Sequence, residues 1–297
     1  MQTHTISRRQ ASARRRAASA GLIAAAAAGL LAAAAADAQE RFGPPELATT
    51  RVTDDVHVIR DRGSGNVTVL VADHGVLLID DKFPQNHAGL LAEVAKLTDQ
   101  PVRFVINTHM HADHSGGNAL LQALGVPVIA SANARRIMAE TQTEGLPDIT
   151  IDEHLRIHFG GKPVDLYYFG RGHTNGDVVV HLPEDRIVVM GDLFALYGPY
   201  EHLIHYAAGG SARDWSQTLE RVLELDFDTV IPGHSAVTDR ANLEGYLAET
   251  LRLQDMVREM NRQQRPREEI EAVLRSEFNW SGLSMQFGLD GIIAEMR

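Results

Sequence analysis

Cysteine is absent from the 297 residues of this sequence. The absence excludes disulfide bonds, and it excludes thiolate ligands to a metal ion. Any metal that the chain binds must therefore be held by nitrogen and oxygen donors, such as those of histidine and aspartate side chains.

Basic residues are scarce relative to acidic ones. The chain has 28 lysines and arginines against 39 aspartates and glutamates, which gives a formal net charge of −11. An acidic surface repels phosphate backbones, so a nucleic-acid partner is disfavoured, and the charge predicts solubility more than it predicts any particular partner. The hydrophobic fraction of 44% and the charged fraction of 23% are those of an ordinary globular protein. We expect one large domain, and the sequence indicates no particular oligomeric state.

The first 38 residues differ in composition from the rest. Five arginines precede an alanine-rich run over residues 17–36, and the small residues Ala36 and Ala38 follow it. This order is typical of a secretory signal peptide over residues 1–38, with Gln39 as the first mature residue. Alanine is only weakly apolar, so a membrane anchor is the less favoured alternative and no stable span is expected after cleavage. We expect export to the periplasm or the medium, and a mature domain over residues 39–297 that carries about −15.

Short β-rich runs and amphipathic helical segments alternate along the mature chain. Strands are predicted within residues 52–82, 102–106, 126–130, 149–190 and 228–231. Helices are predicted at 88–97, at 118–124, from Ser211 onwards, and over 243–276 with an interruption at Pro266. This alternation predicts an α/β protein in which helices cover the sheet.

One segment concentrates side chains that bind metals. His109, His111, Asp113 and His114 lie within six residues, directly after the apolar run 102–106. In an extended segment, residues two apart point the same way, so His109 and His111 can converge on one ion. Asp113 and His114 lie past the bend and can face a second ion. The alternative is a chance group of surface histidines beside a helix-capping aspartate.

This segment resembles the HxHxDH motif of the metallo-β-lactamase superfamily. Three later landmarks of that family follow in order, namely His173 in GHTNGD, Asp192 in MGDL and His234 in PGH. The resemblance extends over nearly all of the mature chain. It implies an αββα sandwich, in which two mixed sheets lie face to face with helices on the outer faces and a metal site lies at one edge.

The resemblance also implies the ligands of two neighbouring metal ions. The first ion would be bound by His109, His111 and His173. The second would be bound by Asp113, His114 and His234, with Asp192 as a bridge between the two ions. Zinc is the expected metal because histidine and carboxylate donors suit it, although the same donors accept iron or manganese.

The implied reaction is hydrolysis. Two dications roughly 4 Å apart lower the pKa of water towards 7 and polarise a carbonyl oxygen. Asp113 is the candidate catalytic residue, because a carboxylate beside the ligand histidines can orient the water or carry its proton. The same family includes iron-dependent persulfide dioxygenases, so a mononuclear iron enzyme is one alternative, and a non-catalytic metal-binding accessory protein is another.

Departures from the family pattern narrow the expected substrate. Some β-lactamases of this superfamily use a cysteine in the second metal site, and another group lacks the bridging acid. The full histidine and aspartate set of this chain looks more like that of glyoxalase II and the lactonases. Thioesters, lactones and other esters are therefore expected first, with β-lactams as a further activity.

Two further segments are candidates for supporting roles. Asp80 and Asp81 follow an apolar run and either orient ligand histidines or simply end a strand in solvent. The segment 193–206 follows Asp192 and either faces the substrate or packs under a surface loop. Its candidate side chains are Phe194, Tyr197, Tyr200, His202, His205 and Tyr206.

Overall fold

A computed structural model describes residues 46–195 and 201–297 of the chain. The predicted signal peptide over residues 1–38 lies outside the described residues, and so does the start of the predicted mature domain. None of the helices described is both long enough and apolar enough to cross a membrane.

The first of two sheets has seven strands in chain order within the described residues. They are β1 (Ala48–Arg51), β2 (Val56–Arg60), β3 (Val67–Ala72), β4 (Gly75–Ile79), β5 (Val102–Ile106), β6 (Val128–Ser131) and β7 (Ile149–Ile151). Neighbours from β1 to β4 are antiparallel, and neighbours from β4 to β7 are parallel. The connections between the parallel strands contain α1 (His87–Leu97), α2 (Ala112–Ser115), α3 (Asn118–Ala123) and α4 (Ala132–Met138).

The second sheet has six strands in the described part of the chain, in the order β13-β12-β11-β10-β9-β8. They are β8 (His154–Phe159), β9 (Lys162–Tyr167), β10 (Val179–Leu182), β11 (Ile187–Gly191), β12 (Thr229–Pro232) and β13 (Thr238–Asp239). β11 and β12 are parallel, and the other neighbours are antiparallel. α5 (Ala212–Leu223) connects β11 to β12. Both sheets are therefore mixed, as predicted.

Alternating side chains along the central strands place apolar groups on both faces of the sheets. In β11, Val189 packs between the two sheets with Ile106 of the first sheet. Val188, its neighbour in the chain, points the other way and packs against the helices that follow. A strand buried on both faces reads as a continuous apolar run, which is why the run 187–190 contains no polar residue.

Helices cover the outer faces of both sheets. Leu90 of α1 and Leu121 of α3 pack on the outer face of the first sheet. The outer face of the second sheet is covered by α5 and by three C-terminal helices, α6 (Arg240–Arg262), α7 (Arg267–Glu277) and α8 (Gly282–Glu295). The layers thus run helix, sheet, sheet, helix, which is the αββα sandwich that the sequence predicts.

Two predicted helix boundaries, at Ser211 and at Pro266, are found in the structure. The Ser211 side chain accepts a hydrogen bond from the backbone N–H of Asp214 at 3.0 Å, and α5 begins at the next residue. Pro266 separates α6 from α7, as predicted from its missing backbone N–H.

The last helix, α8, is absent from the prediction, which ended at residue 276. Its sequence contains Gly282, Gly288 and Gly291, and glycine is a poor helix former. Tertiary packing overrides this propensity, because a side chain at Gly291 would collide with the ring of Tyr206. The glycines therefore allow close approach of the helix to the loop before α5.

Candidate metal centre

The candidate ligands lie at one edge of the sandwich, where strands of both sheets end. β4 and β5 are parallel, so the residues after them, Asp80 and His109, reach the same edge. β11 and β12 are also parallel, which brings Asp192 and His234 together. The two pairs meet at this edge, where His114 contacts His234 although the two residues are 120 apart in the sequence.

The HxHxDH segment follows a bend over residues 108–110 and then becomes helical. His111 has extended backbone angles (φ −68°, ψ 145°) and immediately precedes the short helix α2. The donor nitrogens of His109 and His111 nevertheless lie 3.1 Å apart, so the two rings converge as predicted. Asp113 and His114 lie on the first turn of the helix.

Three histidines form the first group of donors. The Nδ1 atom of His111 lies 3.1 Å from Nε2 of His109 and 2.8 Å from Nε2 of His173. The Oδ2 atom of Asp192 lies 3.9 Å from the His109 nitrogen and 3.7 Å from the His173 nitrogen. The donor atoms of all four residues lie within 4.8 Å of one another.

Asp113, His114 and His234 form the second group. The Oδ2 atom of Asp113 lies 3.4 Å from Nε2 of His114 and 3.2 Å from Nε2 of His234. The two histidine nitrogens are 3.3 Å apart. The Oδ1 atom of Asp192 lies 3.3 Å and 3.5 Å from the same two nitrogens. All seven predicted residues are therefore gathered in one place, and the two oxygens of Asp192 face different groups.

The backbone around Asp192 allows this position. Gly191 has φ +50°, a conformation that favours glycine, and a side chain there would collide with Thr108. Gly233 approaches so closely that a side chain would meet Asp192. The glycines of the PGH and MGD sequences are thus explained by the close packing of the backbone around Asp192 and Thr108.

Polar neighbours hold the second nitrogen of several rings. The Oδ2 atom of Asp80 lies 2.8 Å from Nδ1 of His114, and the Asp80 carboxylate also accepts hydrogen bonds from the backbone N–H and the hydroxyl of Thr108. The Thr108 hydroxyl is 3.1 Å from Nδ1 of His109. Such partners fix the orientation of a histidine ring. Asp80 therefore contacts a ligand candidate, whereas Asp81 accepts a hydrogen bond from Gly117.

The histidines of the first group are poor bases. Burial lowers the pKa of His109 and His173, and burial together with the neighbouring His173 ring lowers the pKa of His111 to about 3. These rings are neutral near pH 7, and a neutral imidazole has the lone pair that a metal ion needs.

Negative charge is concentrated around His114. Burial lowers the pKa of this ring, but the surrounding carboxylates outweigh burial and raise the pKa well above its ordinary value. These carboxylates belong to Asp80, Asp113 and Asp192. Burial raises the pKa of Asp192, yet His114 and His234 outweigh it and hold the pKa well below its ordinary value. The neutral imidazoles of the first group and the carboxylates clustered around His114 together form a donor set that fits a pair of divalent cations.

The described part of the segment after Asp192 divides into core residues and one site residue. Phe194 and His202 are fully buried and pack on Tyr246, so they do not face a substrate. Tyr206 donates a hydrogen bond to Glu295 at 2.7 Å. His205 alone among these candidates reaches the donor groups, with Nδ1 2.8 Å from Nε2 of His111. Tyr197 and Tyr200 lie outside the described residues.

Lys82 is a buried residue that the sequence did not single out. Its side chain is inaccessible to solvent, and its ammonium group donates hydrogen bonds to the carbonyl of Gly65 at 2.6 Å and to the hydroxyl of Ser64 at 3.1 Å. The same loop donates backbone hydrogen bonds to the carbonyls of Asp113 and Gly233. Lys82 therefore stabilises the loop at residues 64–66, which is hydrogen-bonded to two segments that carry residues of the second donor group.

Replacing Lys82 with methionine is expected to lower the free energy of unfolding by about 1 to 3 kcal/mol, because the Gly65 carbonyl loses its buried donor. Burial lowers the pKa of Lys82 to about 8, against an ordinary value of 10.5. Between these values the unfolded chain binds more protons than the folded chain, so the wild type gains stability as pH rises. The difference between wild type and K82M should therefore grow between pH 8 and pH 10.

Urea unfolding at both pH values measures this difference. The control is Lys96→Met, since the Lys96 side chain is 68% exposed. A K82M protein as stable as K96M, or a difference that shrinks at high pH, would contradict the assigned role of Lys82.

A cavity of about 460 Å³ opens beside the HxHxDH segment without including its ligand candidates. Its wall includes Met110, Ala112 and Glu144. Met110 contributes to this wall, although its chain neighbours His109 and His111 do not. We assign no chemistry to this cavity.

Comparison with known proteins gives one consistent result. The family model described as the metallo-beta-lactamase superfamily matches residues 60–234. The chain is 31% identical over 192 residues to the metallo-beta-lactamase type 2 of Bacillus cereus, which covers 63% of this chain and 72% of that protein. It is 30% identical, with the same coverage, to the metallo-beta-lactamase type 2 of Bacillus sp. strain 170.

Solved structures show the same fold. A metallo-beta-lactamase from Pontibacter korlensis aligns with a TM-score of 0.63 and 25% identity, over 69% of this chain and 99% of that one. The DIM-1 metallo-beta-lactamase aligns with a TM-score of 0.62 and 20% identity, over 69% of this chain and 97% of that one. The predicted αββα fold is confirmed by these likenesses.

Proposed function

Because this chain belongs to the metallo-beta-lactamase superfamily, we propose that it is a hydrolase that uses two divalent cations. Zinc is the first candidate for both ions. The first ion would be held by His109, His111 and His173. The second would be held by Asp113, His114 and His234, with Asp192 as the bridge. When bound, the two cations would supply hydroxide at neutral pH and would polarise the carbonyl oxygen of the substrate.

The position of Asp192 is the observation that carries this proposal. Its side chain is only 2% exposed, and Oδ1 and Oδ2 lie within 3.9 Å of nitrogens from different histidine groups. Burying a carboxylate is costly unless positive charge compensates it. A buried carboxylate whose two oxygens face different groups of histidines is suited to a bridging position in a dinuclear site.

Asp113 is the residue we assign to proton transfer. Its side chain is 22% exposed, more than that of Asp192, and its Oδ2 atom faces His114 and His234. A carboxylate at the rim of the donor cluster can bind the second ion through Oδ2 and also accept or return a proton at Oδ1.

We infer that the substrate is a small molecule with an activated carbonyl group. Thioesters, lactones and esters come first, because the second donor group is built from histidine and aspartate without cysteine. β-Lactams belong to the same chemical class, and the Bacillus relatives are named for this activity. The acidic net charge of the chain continues to disfavour nucleic acids as substrates.

Turnover on a panel of thioesters, lactones, esters and β-lactams tests the proposal, with metal content measured on the same samples. We expect two zinc ions per chain, and hydrolysis of at least one class that stops on chelation and returns with zinc. Two bound ions without any turnover would favour an accessory protein. One iron per chain with oxygen consumption on a persulfide would favour a dioxygenase.

We also infer that the protein is exported. The arginine-rich start and alanine-rich run of residues 1–38 support this inference. The intact mass of protein recovered from the periplasm or medium is expected to correspond to a chain that begins at Gln39. A mass that retains residues 1–38 would contradict cleavage at this position.

A further inference from the structure

His205 lies at the proposed metal centre but is not one of the seven proposed ligands. Its Nδ1 atom lies 2.8 Å from Nε2 of His111, the ring centroids are 5.0 Å apart, and the ring planes are 26° from parallel. The ring is partly buried. It therefore touches a proposed ligand on the side that faces away from the proposed ion.

Two elements far apart in sequence hold His205 in place. Its backbone N–H donates a hydrogen bond to the carbonyl of His173 at 2.9 Å. Its ring packs on Phe287 of α8, with ring centroids 4.7 Å apart. The same helix accepts a hydrogen bond from Tyr206 through Glu295. The position of the ring is thus set by the backbone of a proposed ligand and by the C-terminal helix.

His111 differs from the other proposed ligands in the nitrogen that it presents. His109 and His173 present Nε2 to the first group, and their Nδ1 atoms face the Thr108 hydroxyl and the Leu203 carbonyl. His111 presents Nδ1, so its Nε2 atom must carry the hydrogen when the ring is neutral. A neutral imidazole in solution exchanges between its two tautomers, and an acceptor at Nε2 selects the one in which Nδ1 has a free lone pair.

We propose that His205 is the positioning residue of His111, accepting the Nε2–H of His111 at its own Nδ1 atom and thereby directing the Nδ1 lone pair of His111 into the first metal site. This inference rests on the proposed ligand set. Phe287 contributes to this positioning, because its ring packs against the ring of His205. The C-terminal helix then contributes to metal binding from outside the matched family region, which ends at residue 234.

Zinc affinity, measured by chelator competition, tests the proposal in His205→Ala and His205→Asn. H205A is expected to weaken binding of one zinc ion by about 10- to 100-fold, the usual effect of losing such a partner. H205N is expected to stay within about threefold of wild type, because an asparagine Oδ1 lies close to the place of histidine Nδ1 and also accepts a hydrogen bond. Phe287→Ala should give a smaller loss than H205A.

The control variant is His158→Ala, which removes an exposed histidine from β8. Thermal unfolding of the metal-free proteins checks that each variant is folded. Unchanged zinc affinity in H205A would overturn the proposal, and so would an equal loss in H205A and H205N. Either outcome would show that a hydrogen-bond acceptor at residue 205 does not affect zinc binding. A wild type that binds no zinc would instead overturn the proposed function, so the two failures are distinguishable.

Discussion

Asp192→Asn is expected to lower kcat/KM by on the order of 10³-fold and to reduce the zinc content from two ions per chain towards one. The substitution keeps the shape of the side chain but removes its negative charge, which lies within 3.5 Å of His114 and His234 and within 3.9 Å of His109. A metal centre stabilises the charge of the transition state by several kcal/mol, and losing that stabilisation corresponds to a decrease in kcat/KM on the order of 10³-fold. Steady-state kinetics and metal analysis of the same preparation measure both effects.

The matched control for this substitution is Asp226→Asn, which removes the same charge from a side chain that is 80% exposed. Its kinetics and metal content should equal those of the wild type, because exposed ion pairs contribute little. If D192N retained two zinc ions and wild-type kcat/KM, Asp192 would not bridge the ions.

Asp113→Asn is expected to lower kcat by about 10² to 10⁴-fold even when zinc is supplied in excess, the range that general acid–base groups contribute. The amide can still offer an oxygen to a metal ion, but it cannot accept a proton at neutral pH. Saturating zinc therefore separates the loss of proton transfer from the loss of metal. Turnover is measured over a zinc titration until kcat no longer rises.

Asp290→Asn serves as the control for this prediction, because the Asp290 side chain is 80% exposed and lies on α8. Full recovery of kcat in D113N at high zinc would leave Asp113 as a ligand only. A loss of thermal stability in D113N without a loss of kcat would likewise remove the proton-transfer role.

The apolar periodicity of the sequence predicted most of the strands and helices, whereas the αββα arrangement of two mixed sheets was implied by the family resemblance. β-rich runs and amphipathic segments have local signatures with periods of 2 and 3.6 residues, which is why β5 and α1 are found close to their predicted positions. α8 was missed because its glycines weaken the helical signal, while contact with Tyr206 stabilises it. α4 was missed too, although Ser131 caps it by accepting a hydrogen bond from Ala134.

The roles of the residues in the loop after Asp192 could be assigned only from the structure. Phe194, His202 and His205 look alike as candidates in the sequence, yet two are buried in the core and one touches His111. Nothing in their local sequence distinguishes them, because burial depends on how the loop packs against α6 and α8. The same holds for Lys82, whose partners lie 17 and 18 residues earlier in the chain.

The sequence by itself determined the chemistry that the site can offer. Without cysteine, only nitrogen and oxygen donors remain, and the spacing of His109 and His111 already aims two of them to one side. Tertiary structure decided which donors meet. His114 and His234 are 120 residues apart, and His111 and His205 are 94 apart. Local propensity acts over a few residues, whereas these meetings depend on the parallel pairing of strands that end at a common edge.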